Sequence, residues 1–187
     1  MILPGFRRAF HNRNIPALYG MIVAQARSVT FYTDYGVPDT VDGRFELIVL
    51  HLVLVLQRLG QAGEAGPQGH SGHPAGQSLF DAFCRDLDDN LREMGVGDLA
   101  VPKKMRRFGE AFYGRQTAYI AALEAADGRE LEKALGRNIF GTGDEDERAM
   151  RLARYASAAA ARLGDRPLEA LIGGQSVFPH PEAFVHA

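Results

Sequence analysis

Residues 47–56 read LIVLHLVLVL, broken only by His51. A run this apolar has no polar side to show to water, so whatever it forms must be enclosed by the rest of the chain. At helical spacing it is hydrophobic all round, the pattern of a helix at the centre of a bundle. It holds about ten core residues where a membrane span needs roughly 20. Asp42, Arg44 and Glu46 stand just before it, and Gln57 and Arg58 just after. Its valines tolerate a strand, but no second strand-like run exists to pair with it. The chain has 187 residues, enough for one domain with a substantial core. The expected fold is all-α, a single compact multi-helix bundle over residues 1–187.

Flanking segments repeat the helical period. A first helix is expected from Pro16 to about Phe31, carrying Leu18, Ile22, Gln25 and Val29 on one side. The turn from Asp34 to Asp39 ends it, and Asp39 or Thr40 can cap the next helix, about Val41 to Leu59. Gln61 to Gly76 is glycine-rich, lacks large apolar side chains and reads as a mobile loop. His70 and His73 within it make a poor metal site, since two ligands on such a loop are too few. Further on, a short helix Arg129–Phe140 is broken by Gly141 to Gly143. Acids from Asp144 to Glu147 suit the start of a helix reaching about Leu163. Leu168–Ile172 forms one more turn, and the tail with Pro179 and Pro181 lies extended on the bundle. About five to seven helices result, without repeats or heptads.

The segment Leu79 to Arg115 carries the sharpest pattern. Phe80, Phe83, Leu87, Leu91 and Met94 fall within an arc of roughly 80° on one helix. Asp81, Asp86, Asp88, Asp89 and Glu93 occupy the other side. Gly95-Val96-Gly97-Asp98 turns the chain, and Pro102 suits the first turn of a second helix. There Met105, Phe108, Phe112, Tyr119 and Leu123 form the apolar stripe, opposite Lys103, Lys104, Arg106 and Arg107. Two amphipathic helices of opposite charge point to recognition of a partner.

Each charged group also has a plainer reading. Asp81–Arg85, Asp88–Arg92 and Arg106–Glu110 have i,i+4 ion-pair spacing, each worth roughly 0.3–0.5 kcal/mol. Asp86, Asp89 and Glu93 are then left as a solvated face, a partner patch or a metal site. Asp86 and Asp88 diverge by about 160° on the wheel, which disfavours the metal. The cations can be solvated, pair with the acidic helix, or meet a partner or lipid surface. Without interleaved aromatics they do not indicate specific nucleic-acid binding. Gly114 lies on the polar side and costs about 1 kcal/mol against Ala, which a bend or a close backbone contact by a partner would explain. Tyr113-Gly114-Arg115 is therefore the centre of the expected contact surface, together with Asp86, Asp89, Glu93, Asp98, Lys103, Arg106 and Arg107.

Other chemistry is thinly represented. Net charge is −2, so bulk charge does not argue for nucleic acid. Arg7, Arg8, Arg13 and Arg27 precede the first acid; with Phe6 and Phe10 they could touch anionic lipid or RNA, or form a frayed, solvated terminus. The single cysteine, Cys84, excludes an internal disulfide and reads as a small buried hydrophobe. His51 reads as a hydrogen-bonded core residue rather than a haem ligand. No nucleophile–base pairing, phosphate loop or zinc motif is present. Neither a secretory signal nor a presequence of usual length is evident, so a reducing bacterial cytoplasm is expected.

DLDDNLREMGVGDLAVPKKMRRFGEAFYGR resembles the ubiquinol–cytochrome c chaperone family. FYTDYGVPDTVDGRFELIVLHLVLVLQRL and LGRNIFG resemble it too, so the likeness spans roughly Ile15 to Phe140. The resemblance implies an all-helical assembly factor for complex III, without catalytic residues or cofactor, whose partner is newly made cytochrome b or another complex III subunit. It also admits a peripheral contact with the inner membrane face or the ribosome. The competing class is a helical magnesium-dependent enzyme or small-molecule binder using the Asp86–Asp98 carboxylates.

Overall fold

A computed structural model of the chain describes residues 4–61, 74–125, 127–143, 145–175 and 177–185, with side chains from residue 14 onward. Eight α-helices follow in order: α1 Pro4–Ala26, α2 Val29–Thr33, α3 Val41–Gln61, α4 Pro74–Glu93, α5 Val101–Glu124, α6 Arg129–Leu135, α7 Glu147–Gly164 and α8 Leu168–Ile172. A π-helical turn, Gly136–Phe140, extends α6, and a 3₁₀ turn, Pro181–Phe184, closes the chain. No strand occurs among the described residues.

As its sequence requires, α3 lies at the centre. It packs against α1, α4, α5 and α7. Every residue from Val49 to Leu56 is buried, and the core extends from there to all the longer helices. Each such side chain contributes roughly 1.5–3 kcal/mol by leaving water. The far side of α3 meets α7, whose Ala149, Ala153, Ala156 and Ala159 are buried and present little bulk to a neighbour.

The start of α3 is held by local chemistry. Thr40 is the cap: its Oγ1 accepts from the Gly43 amide at 3.1 Å. Asp39, the other candidate, pairs with Arg44 at 2.7 Å. Gly43 has a steric reason to be glycine, since a Cβ there would sit 2.0 Å from the Pro38 carbonyl oxygen. The incoming chain crosses the first turn too closely for a side chain.

Three boundaries differ from the sequence reading. The first helix does not begin at Pro16; α1 starts at Pro4 and carries Pro16 in its interior. Pro16 is exposed, so the carbonyl its ring leaves without a donor can meet water instead. Nor does that helix continue to Phe31. It stops at Ala26, whose carbonyl accepts from the Tyr32 hydroxyl at 3.0 Å, and α2 begins anew at Val29. Finally, Gln61 ends α3 and Pro74 to Gly76 open α4, with Ala75 and Gly76 buried. The rest of the expected loop, with His70 and His73, lies outside the described residues, as do the side chains of Phe6, Arg7, Arg8, Phe10 and Arg13.

The turn after α4 is a Schellman motif. Gly95 has φ +77° and its amide donates to the Arg92 carbonyl, while the Val96 amide reaches back to Leu91 at 3.0 Å. Val96 is half-buried and Leu91 buried, as this motif prefers. Met94 departs from expectation. It continues the α4 stripe on the helical wheel yet is 58 % exposed. From Arg92 to Ala100 every residue except Val96 is exposed, so no helix among the described residues covers the stripe at its end.

Candidate partner-binding surface

The α4–α5 pair is joined through an aromatic cluster. Phe80 and Phe83 of α4 pack on Phe112 of α5 with ring centroids 4.9 and 5.8 Å apart, and Phe45 of α3 adds contacts to Phe83 and Phe108. Tyr113 lies at the edge of this cluster, 5.5 Å from the Phe112 ring and 6.0 Å from Phe80, and is 42 % exposed. Its ring is thus supported from below while one side meets solvent. Cys84 nearby is half-buried, and burial pushes its thiol pKa up.

The ten expected contact residues are not gathered into one patch. Asp86 and Asp89 line a groove of about 1030 Å³ between α1 and α4, with Tyr19 and Arg27 on the α1 wall. Tyr19 donates to Asp86 Oδ2 at 2.8 Å, and burial together with that carboxylate raises the phenol pKa. The face of α4 that meets α5 carries the phenylalanines instead. The acidic group is therefore turned toward α1, and no α4 acid pairs with an α5 cation among the described residues. Asp88 and Asp98 both converge on Arg92, each at 2.6 Å. Asp81 accepts from Gln77 at 2.8 Å rather than from Arg85. Glu93 is exposed. Among the described residues no group of three or more His, Cys, Asp or Glu side chains could hold a metal ion.

On α5 the exposed side carries Lys103, Arg106, Arg107, Glu110, Tyr113, Gly114 and Thr117 as one continuous stripe. Arg106 and Glu110 form the expected pair at 3.6 Å. A Cβ at Gly114 would meet nothing within 4 Å, so no neighbour among the described residues demands glycine there. Arg115, by contrast, points inward. Its Nε donates to Glu46 Oε2 at 2.5 Å, its Nη2 to Glu46 Oε1, and its Nη1 to the Ala111 carbonyl at 3.1 Å. The Glu46 side chain is 8 % exposed and that of Arg115 20 %. Burial drives the Glu46 pKa up, against the pull of Arg115. This ion pair ties α5 to the first turns of α3. Glu46 could not be singled out from sequence, since it looked like one of the charges that flank the apolar run.

His51 is fully buried and both ring nitrogens are engaged. The Leu47 carbonyl, 2.7 Å from Nδ1, can only accept, so Nδ1 carries the proton. Nε2 must then accept from the Tyr155 hydroxyl at 2.8 Å, and Tyr155 in turn accepts from Gln25 Nε2 at 3.0 Å. Gln25 also donates to the Pro179 carbonyl, and Phe178 packs edge-on to the imidazole at 5.0 Å. The C-terminal segment seals this relay: Tyr35 donates to the Pro181 carbonyl and Thr30 to Glu182. With both nitrogens occupied, the imidazole offers no lone pair to a haem iron in this arrangement.

Burial lowers the His51 pKa from 6.5 to about 4. The unfolded state therefore binds more protons between these values, so the contribution is complete above about pH 6.5 and is lost as pH falls through 4. Between pH 7 and pH 5 the loss should be about 2 kcal/mol. Urea unfolding at the two pH values will show this drop in the native protein and a much smaller one in His51→Gln. An equal drop in both would assign the acid sensitivity elsewhere.

A family model described as ubiquinol-cytochrome C chaperone matches residues 33–178. Among solved structures, the crystal structure of the Cbp3 homolog from Brucella abortus aligns with a TM-score of 0.81 at 38 % sequence identity, covering 97 % of this chain and 98 % of that one. No curated protein matches the chain. The family match runs past Phe140, where the sequence resemblance ended, and takes in the buried Val177 and Phe178 of the tail.

Proposed function

We propose, because this chain belongs to the ubiquinol-cytochrome C chaperone family, that it assists assembly of ubiquinol–cytochrome c reductase by holding newly made cytochrome b on the outer face of α5. The observation that carries the placement is Tyr113: a partly exposed ring braced on Phe80 and Phe112, beside an open glycine. Tyrosine braced in this way loses little freedom on binding and is a frequent interface anchor. Gly114 leaves the backbone open to close approach by a client segment. Arg106 and Glu110 on the same stripe would set orientation and encounter rate rather than affinity. Arg115 is not part of this contact, since it is already bound to Glu46.

The test is co-purification. Tagged protein isolated from native membranes should bring down cytochrome b. Tyr113→Ala with Arg106→Glu should keep native helicity and melting temperature and lower the cytochrome b yield roughly tenfold or more, the usual range for an aromatic anchor. A folded double variant that captures cytochrome b as well as the native chain would move the surface elsewhere. A native chain that captures other complex III subunits but never cytochrome b would overturn the client.

A further inference from the structure

The turn between α4 and α5 holds two large apolar side chains that the fold does not use. Leu99 is 99 % exposed and Met94 58 %. The Schellman turn tucks Val96 inward and leaves Leu99 projecting. On the α5 side of the turn the charge is mainly positive. From Met94 to Arg107 the only acid is Asp98, which shares Arg92 with Asp88 at 2.6 Å each, while Glu93 just before Met94 is exposed on the α4 side. Lys103, Lys104, Arg106 and Arg107 are all exposed, and Lys103, Lys104 and Arg107 have no ion pair among the described residues.

Helix stability does not account for these cations. They occupy the first two turns of α5, where the helix dipole disfavours positive charge and where no acid stands. The same chain follows the opposite rule at α7, which opens with Asp146 as cap and Glu147 behind it. At α5 the arrangement instead complements an anionic surface outside the molecule. Leu99 is 99 % exposed and is followed within one turn of α5 by exposed lysines; a projecting leucine next to cations suits a bilayer, which yields to insertion and concentrates negative charge in one plane.

We propose that the Met94–Leu99 turn with Lys103, Lys104 and Arg107 is a membrane-docking tip that inserts Leu99 and Met94 among anionic phospholipids. It would set Tyr113 about 18 Å from the bilayer surface along α5, at 1.5 Å per residue from Val101. This docking does not depend on cytochrome b being the client.

The chain contains no tryptophan, so Leu99→Trp in the full-length protein supplies a single reporter. On vesicles of phosphatidylcholine with about one-third phosphatidylglycerol at low salt, its emission should shift to the blue. Pure phosphatidylcholine vesicles, or high salt, should abolish the shift. In sedimentation with the same vesicles, Leu99→Ser should weaken binding about tenfold. The triple change Lys103→Gln, Lys104→Gln, Arg107→Gln should weaken it about a hundredfold. All these side chains are exposed, so melting temperatures should stay native. No blue shift on anionic vesicles, or native-like sedimentation of both variants, overturns the proposal. So does loss of cytochrome b capture in Leu99→Ser with vesicle binding unchanged, which would make the tip a protein contact.

Discussion

Leu50→Asp should leave no folded protein. Leu50 is fully buried in the middle of α3, among side chains that are themselves buried and apolar. No cation stands within that stretch of α3, and Glu46, one turn earlier, is already paired with Arg115. A carboxylate placed there must be ionised without a partner or protonated at the expense of its pKa, and either costs several kcal/mol. The lost leucine contacts add about 2–5 kcal/mol, the usual cost of truncating such a side chain. The sum rivals the entire stability of an ordinary domain, about 5–15 kcal/mol. Far-ultraviolet circular dichroism and a urea titration will read the outcome, with Leu50→Ala as the graded companion. A soluble Leu50→Asp protein with native melting temperature would mean that α3 is not enclosed.

Arg115→Ala should destabilise the protein by about 3–5 kcal/mol, because it strands the Glu46 carboxylate in a buried setting. Removing both partners should do less harm. Glu46→Leu with Arg115→Met replaces the pair by apolar groups of similar bulk, and such exchanges are often close to neutral. The pH dependence separates charge from packing. Burial already raises the Glu46 pKa, and loss of the guanidinium raises it further. A carboxyl whose folded pKa exceeds its unfolded value favours folding below the unfolded value and loses that contribution as pH rises through the folded one. The Arg115→Ala deficit relative to the native chain should therefore be larger at pH 8 than at pH 5. Equal deficits at both pH values, or a double variant as unstable as the single one, would reduce the ion pair to ordinary packing.

This second prediction also changes how the α5 surface is probed. Reading Tyr113-Gly114-Arg115 as one contact group makes Arg115→Glu an obvious choice. In the structure that substitution would set two carboxylates side by side in a buried position, and lost client binding would then report unfolding. Arg106, exposed and paired with Glu110 at 3.6 Å, changes surface charge without that consequence.

Helix content and the central place of α3 were legible in the sequence because both depend on local pattern. An apolar run without a polar side must be enclosed, and a period of 3.6 separates the buried from the wet face of each amphipathic segment. Capping by Thr40 and the glycine turn after α4 are equally local, involving residues a few positions apart. Met94 shows where pattern stops. Its place on the wheel makes it apolar-facing, but only a neighbouring helix can supply the cover, and among the described residues none reaches the tip.

What tertiary structure alone decided is the partner of each polar group. Glu46 and Arg115 are 69 positions apart, His51 and Tyr155 104, Thr30 and Glu182 152. Nothing in the spacing of such residues marks them as neighbours. Arg115 stands two positions from Tyr113 yet is directed inward, because residues two apart on a helix point about 200° apart and α3 lies on that side. Likewise Asp81, Asp86 and Asp89 of α4 face α1 rather than the basic helix that follows them in the chain. The sequence determines which faces must be buried; the packing of distant helices determines which charges are consumed inside the fold and which remain for a partner.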